Sequence, residues 1–147
     1  MSDKGSNVFF EQRDDIADSR TAQSTIMFNG EYSGQLVLFM RSEVIGEIFK
    51  AHCDLAYDSQ WHHFAARVDS QMHMEIYVDG QLYCESDFGN NGNFVTSIDH
   101  VNLGSHHYSE GLHGALNGKM DDVFIYNRSL NMCEIEALYS GLLLNER

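Results

Sequence analysis

At 147 residues the chain has the length of one domain, and 43% of its residues are apolar. A chain of this size hides roughly two-thirds of its unfolded surface on folding, so it can hold a core of its own. Its formal net charge of −13 repels phosphate backbones, which argues against nucleic acid as a partner, and favours cations. No apolar run approaches the ~20 residues of a membrane-spanning helix, so membrane insertion is not expected. The start Met1-Ser2-Asp3-Lys4 lacks the basic stretch and apolar run of a signal peptide. Cys53, Cys84 and Cys133 are odd in number and unevenly spaced, with no zinc motif. Three reduced, half-buried thiols are the simpler arrangement, and one pair would bridge only in an oxidising compartment.

Proline is absent while glycine occurs 12 times, so turns must be built from Gly, Asn, Asp and Ser. Residues 1–23 are polar and charged apart from Val8, Phe9 and Phe10, and read as a short strand plus loop or an irregular N-terminal segment. From Ser24 onward short apolar runs suggest strands at residues 25–28, 35–40 and 47–52. Residues 61–69 alternate, with Phe64, Ala66 and Val68 on one face, and so do residues 72–79, with Met72, Met74, Ile76 and Val78. That is the two-residue period of a strand. Asp79-Gly80 between alternating segments is a strong hairpin signal, and 81–85 is the return strand. Residues 86–97 and 104–114 read as loops, with a short strand at 100–103 between them. Residues 120–126 read as a strand. Asn131 and Glu134 form a capping-box pattern for a short helix whose inner face carries Ile135, Leu138 and Tyr139 and which Gly141 ends. Many short strands with Gly-rich turns and one small helix indicate an all-β sandwich.

Four pieces carry a resemblance: Trp61-His62-His63, Tyr77-Val78-Asp79-Gly80, Leu103-Gly104, and the stretch from Gly118 through Asp121, Asp122, Tyr126, Asn127 and Arg128 to Leu130. In this order and spacing they resemble the laminin G-like domain of the concanavalin A-like lectin/glucanase superfamily. The resemblance implies a single domain over residues 1–147, folded as a two-sheet antiparallel jelly-roll sandwich with one short C-terminal helix. It implies a non-catalytic binding module for a glycan or a glycosylated or extracellular partner, and an extracellular or cell-surface location. Relatives open with a strand near Phe-Asp-Gly that pairs with the last strand, and this sequence has no such start. Either Asn7 to Glu11 fills that place, or two subunits join as a homodimer along the exposed edge of residues 120–126. A structural or oligomerisation domain, and a glycoside hydrolase or polysaccharide lyase, are the alternatives. The hydrolase alternative lacks the Glu-x-Asp-x-x-Glu strand and any nucleophile motif, so no catalytic residue is assigned.

Two sets of candidate site residues follow. His106, His107 and Tyr108 share a loop with His113. Together with Tyr32 and Tyr57 on other turns they offer aromatic faces to a sugar. No spacing among these histidines matches a zinc motif. Asp121 matches a position that often helps hold Ca²⁺ in relatives, with Asp14, Asp15 and Asp18 as substitute partners. No cofactor is required by the sequence, and Ca²⁺ is the one the resemblance allows. In the other reading, Asp121 bonds a nearby backbone N–H. Trp61 and His63 are expected as packing residues, His63 buried and hydrogen-bonded.

Overall fold

In a computed structural model of the chain, the described residues are 7–13, 24–31, 34–42, 47–55, 58–89, 100–108 and 111–142. They form ten strands and one helix: β1 (Asn7–Arg13), β2 (Ser24–Glu31), β3 (Gln35–Ser42), β4 (Glu47–Asp54), β5 (Phe64–Val68), β6 (His73–Val78), β7 (Gln81–Asp87), β8 (His100–Leu103), β9 (His106–Tyr108), β10 (Gly111–His113) and α1 (Met132–Tyr139). A five-stranded sheet runs in the order β4-β3-β2-β1-β8, a three-stranded sheet in the order β5-β6-β7, and β9 and β10 form a hairpin. All the pairings are antiparallel.

Alternation decides which residues meet between the sheets. From the five-stranded sheet come Phe28, Leu36, Leu38, Met40, Phe49 and Ala51; from the other sheet and the turn before it come Met72, Met74, Ile76 and Val78. Each such side chain stabilises the fold by about 1.5–3 kcal/mol when fully buried, the smaller Ala51 by less. Phe9 and Phe64 stack with centroids 5.4 Å apart, and Phe49 and Phe88 meet edge-on at 5.0 Å. A Cys53–Cys84 disulfide ties β4 to β7, with Cα atoms 6.0 Å apart. This corrects the expectation of three reduced thiols. Spacing along the chain is silent about which strands lie opposite one another, and only the packing brings these two together. Cys133 is free and exposed.

The second face of the three-stranded sheet carries α1. Tyr77, Leu130 and Ile135 form a smaller buried cluster with Ala65 and Leu138 packed on it. The capping box at Asn131 and Glu134 is present as the sequence indicates. At the hairpin, Asp79 (φ 51°) and Gly80 (φ 77°) both take left-handed backbone. Gly80 is required twice over, since a Cβ there would lie 2.9 Å from Tyr139 Cδ1.

Three expectations change. Residues 120–126 belong to none of the sheets that the described residues form, and Asp122 within them takes left-handed backbone (φ 49°). Their alternation gives strand character, but a strand also needs a partner edge, and β1 takes its place between β2 and β8 instead. Residues 120–126 therefore stay outside the sheets of the described residues, and the segment from Asn7 to Glu11 does not fill the place beside them, since β1 pairs with β2 and β8. Residues 104–114 contain the β9–β10 hairpin in place of a plain loop, with His106 opposite His113 and His107 opposite Leu112 in register. Trp61 is 67% exposed, lying just before β5 begins and outside the sheet. No helix among the described residues is long and apolar enough to cross a membrane.

Candidate functional site

The five-stranded sheet sends alternate residues of β3 and β4 away from the core. Leu36, Leu38 and Met40 point inward, so Gln35, Val37 and Phe39 face outward. On β4, Phe49 and Ala51 point inward and Lys50 and His52 outward. Registers Val37 to His52 and Phe39 to Lys50 set these side chains in rows across the strands. Lys50 Nζ lies 5.5 Å from the centroid of the Phe39 ring, a cation over an aromatic face. Gln35, Val37, Lys50 and His52 line a shallow hollow of about 170 Å³. At its margin Gln35 Nε2 donates to Asp54 Oδ1 at 3.0 Å, which fixes the amide. Lys50 and His52 are exposed, Phe39 half-buried and Val37 buried. The surface therefore combines an apolar floor, an aromatic ring and adaptable polar groups, the mixture of a small-ligand site.

Farther along the same face lies a buried carboxylate. Glu11 on β1 is only 1% exposed, and Asn102 Nδ2 donates to its Oε2 at 3.0 Å. The chain that follows β8 is anchored here too. Gly104 N donates to Phe9 O at 3.2 Å, Val8 N to Gly114 O at 3.0 Å, and Leu116 N to Gly104 O at 2.8 Å. Asn117 N donates to Asn7 Oδ1 at 2.9 Å. These bonds hold the two ends of the β9–β10 hairpin, and with it the backbone of His106, His107 and Tyr108, beside β1 and β8.

A second polar cluster joins the Trp61-His62-His63 and Asp79-Gly80 motifs. His62 Nδ1 lies 2.8 Å from Asp79 Oδ2 and Nε2 lies 3.0 Å from Asp58 Oδ1. Asp79 Oδ1 accepts the His63 amide at 2.9 Å. The hydrogen bond to Asp79, and then that to Asp58, raise the His62 pKa above the ordinary imidazole value. His62 in turn lowers Asp58. Burial pushes Asp79 up, but the bonds from His62 and the His63 amide outweigh it and leave the carboxyl below its usual value. The cluster closes the Asp79-Gly80 turn against the chain before β5. Its neighbour His63 is depressed by burial, and its Nδ1 is buried with no partner among the described residues. The expectation of a hydrogen-bonded His63 is thereby corrected: the ring packs beside Tyr139, with centroids 5.9 Å apart, and an aromatic ring supplies no acceptor in the ring plane.

The C-terminal motif resolves in the same structural way. Arg128 forms two bonds to Glu134, Nη1 to Oε2 at 2.9 Å and Nη2 to Oε1 at 2.6 Å. With the Asn131 amide they hold Glu134 down at about 2. This carboxylate belongs to the helix cap and is unsuited to acid–base work near neutral pH.

The sequence candidates divide. Tyr32 and Tyr57 lie outside the described residues. His106, His107 and Tyr108 are placed by backbone on β9, near the five-stranded sheet. Asp121 is exposed, and its Oδ1 accepts the Asp122 amide at 2.9 Å where Asp122 turns left-handed (φ 49°). Ca²⁺ asks for six to eight oxygens; the partners that the sequence offered, Asp14, Asp15 and Asp18, lie outside the described residues. Sequence reasoning missed Phe39, Lys50 and His52. Their outward alternation in a run called a strand was the available signal.

A model of the concanavalin A-like lectin/glucanases superfamily matches residues 6–136. Among solved structures, the CBM40 of a Ruminococcus gnavus IT-sialidase is similar with a TM-score of 0.73 and 14% identity, over 95% of this chain and 77% of that one. An S-layer domain-containing protein from Clostridium thermocellum overlaps with a TM-score of 0.46 and 19% identity, over 95% of this chain and 65% of that one. No curated protein matches the sequence.

Proposed function

Because the chain belongs to the concanavalin A-like lectin/glucanases superfamily, we propose that it is a non-catalytic carbohydrate-binding module whose site is the outer face of the five-stranded sheet. The observation that carries this reading is the Phe39, Lys50 and His52 group beside its hollow. A sugar ring stacks its apolar face on an aromatic ring, while hydroxyls bond to amide, imidazole and ammonium groups. Lys50 gives that face a cation in an otherwise acidic chain, which suits glycans carrying a carboxylate. The fold-level likeness to a carbohydrate-binding module agrees with this reading. The Cys53–Cys84 disulfide supports an oxidising, extracellular setting, where glycans are displayed.

The test is a glycan array followed by calorimetry on any hit, with Phe39→Ala and Lys50→Ala. Each variant should lose about tenfold or more in affinity, on the scale of 1–2 kcal/mol for a stacked or charged contact, with the melting temperature little changed. Undiminished binding by both variants would move the site elsewhere.

A second reading, an assembly domain, is favoured by a different observation. Val123, Ile125 and Tyr126 are exposed, Ile125 by 64%, on a segment that pairs with no described strand. Such surfaces attract other chains. Light scattering on the parent and on Ile125→Asp decides it: a dimer that the variant dissolves supports assembly, and a monomeric parent removes it.

A further inference from the structure

The outward face of the three-stranded sheet carries a group of side chains that the proposed glycan site does not use. His73 and Glu75 are two residues apart on β6, so both point away from the core. Glu85 on β7 is the register partner of Glu75 and shares that face. One donor atom from each of the three lies within 4.8 Å of the others. His73 sits between the carboxylates, Nε2 3.0 Å from Glu85 Oε2 and Nδ1 3.8 Å from Glu75 Oε1.

Glu75 is what distinguishes this group from an ordinary acidic surface. It is 4% exposed. Its Oε2 accepts both the Tyr77 hydroxyl, at 2.9 Å, and Arg67 Nε. Arg67 is itself held by Leu130 O at 2.5 Å through Nη1, and its guanidinium lies 5.7 Å from the Tyr77 ring centroid. One oxygen of a buried carboxylate is thus fixed from behind, and the other is turned toward His73. Outer-sphere partners orient metal-bound carboxylates in this manner. Two carboxylates directly opposite each other on adjacent strands repel; a cation between them converts that repulsion into attraction.

We propose that His73, Glu75 and Glu85 form a divalent metal site, with Zn²⁺ as the fitting ion. One imidazole and two carboxylates supply three ligands, and a water completes a tetrahedron. Imidazole suits zinc and its neighbours, while Ca²⁺ would want more oxygens than this face offers. The ligands come from one hairpin whose other face is core, so a bound ion would brace β6 against β7.

Thermal unfolding of the whole chain with Zn²⁺ alone is the test, and the absorption of the Co²⁺-loaded protein is a second readout. Zn²⁺ in large excess over its dissociation constant should raise the melting temperature, and EDTA should reverse the rise. Co²⁺ should give the intense visible bands of a tetrahedral site. His73→Ala and Glu85→Gln should each abolish both signals, while His52→Ala and His106→Ala keep them. Glu85→Gln preserves size on an exposed position, so it keeps the test valid if His73→Ala unfolds. Absence of any shift or band in the parent overturns the proposal. So does an unchanged response in Glu85→Gln, which would place the ion elsewhere.

Discussion

The two sheets present opposite kinds of outer surface. Behind the three-stranded sheet the motif residues satisfy one another: His62 with Asp58 and Asp79, Arg128 with Glu134, Asn131 with the first turn of α1, and Gly80 beneath Tyr139. On the outer face of the five-stranded sheet, Lys50 and His52 are exposed beside a hollow and belong to no sequence motif. The difference teaches that the recognisable pattern of this chain records how the sandwich is closed. The open side chains Lys50 and His52 take no part in that closure, and a site on such a face is set by the residues it carries rather than by the fold.

That contrast can be attacked experimentally. The largest effect should come from the tie between the sheets. Cys53→Ser with Cys84→Ser removes a loop of 31 residues, and chain entropy puts the loss at about 3–4 kcal/mol, measurable by urea unfolding. If stability were unchanged, the two layers would not need the bridge. Next, Ile135→Ala empties the cluster under α1, where Ile135 is 1% exposed. A loss of about 3 kcal/mol is expected, with glycan binding at Phe39 retained; loss of binding at equal rank would mean that the two faces are coupled. Asn131→Ala removes the cap bond to the Glu134 amide and should cost about 1 kcal/mol in the same assay.

The smallest effect is that of pH on the His62 cluster. The folded-state pKa of His62 is raised, so its contribution is complete below the unfolded value of about 6.5 and is lost as pH rises through the folded value. Asp58 and Asp79 are lowered. Their contribution is present above the unfolded value of about 3.9 and is lost as pH falls through the folded values. The His62 contribution to the melting temperature should therefore decline from about pH 6 toward pH 8, against an opposite trend from His63, whose folded value burial lowers. In His62→Gln that part of the decline should flatten; an identical slope would show that the cluster does not couple protonation to folding.

Much of the architecture was legible because it is local. The Asp79-Gly80 hairpin, the Asn131 and Glu134 capping box, and the alternation of Met72 to Val78 depend on neighbours within a few residues, and these elements appear where the sequence places them. Residues 104–114 were harder, because the β9–β10 hairpin is anchored at its two ends by hydrogen bonds between Gly104 and Phe9 and between Gly114 and Val8, on β1 and far away in sequence. The proposed site was not legible in the sequence: His106, His107 and Tyr108 lie on β9 beside β1 and β8, and nothing in their spacing points to Phe39, Lys50 or His52. Nor does spacing bring Glu85 to Glu75 and His73, since register across a hairpin with a bulge between Ile76 and Tyr77 sets that meeting.

The sequence by itself determined the all-β class, the superfamily, the hairpin and the capped helix, because propensity, two-residue alternation and turn chemistry act over short range. Only the tertiary structure decided the Cys53–Cys84 bridge, the place of β1 between β2 and β8, and the exposure of Trp61 and residues 120–126. These depend on which strand edges and faces meet, a choice made by packing among segments tens of residues apart.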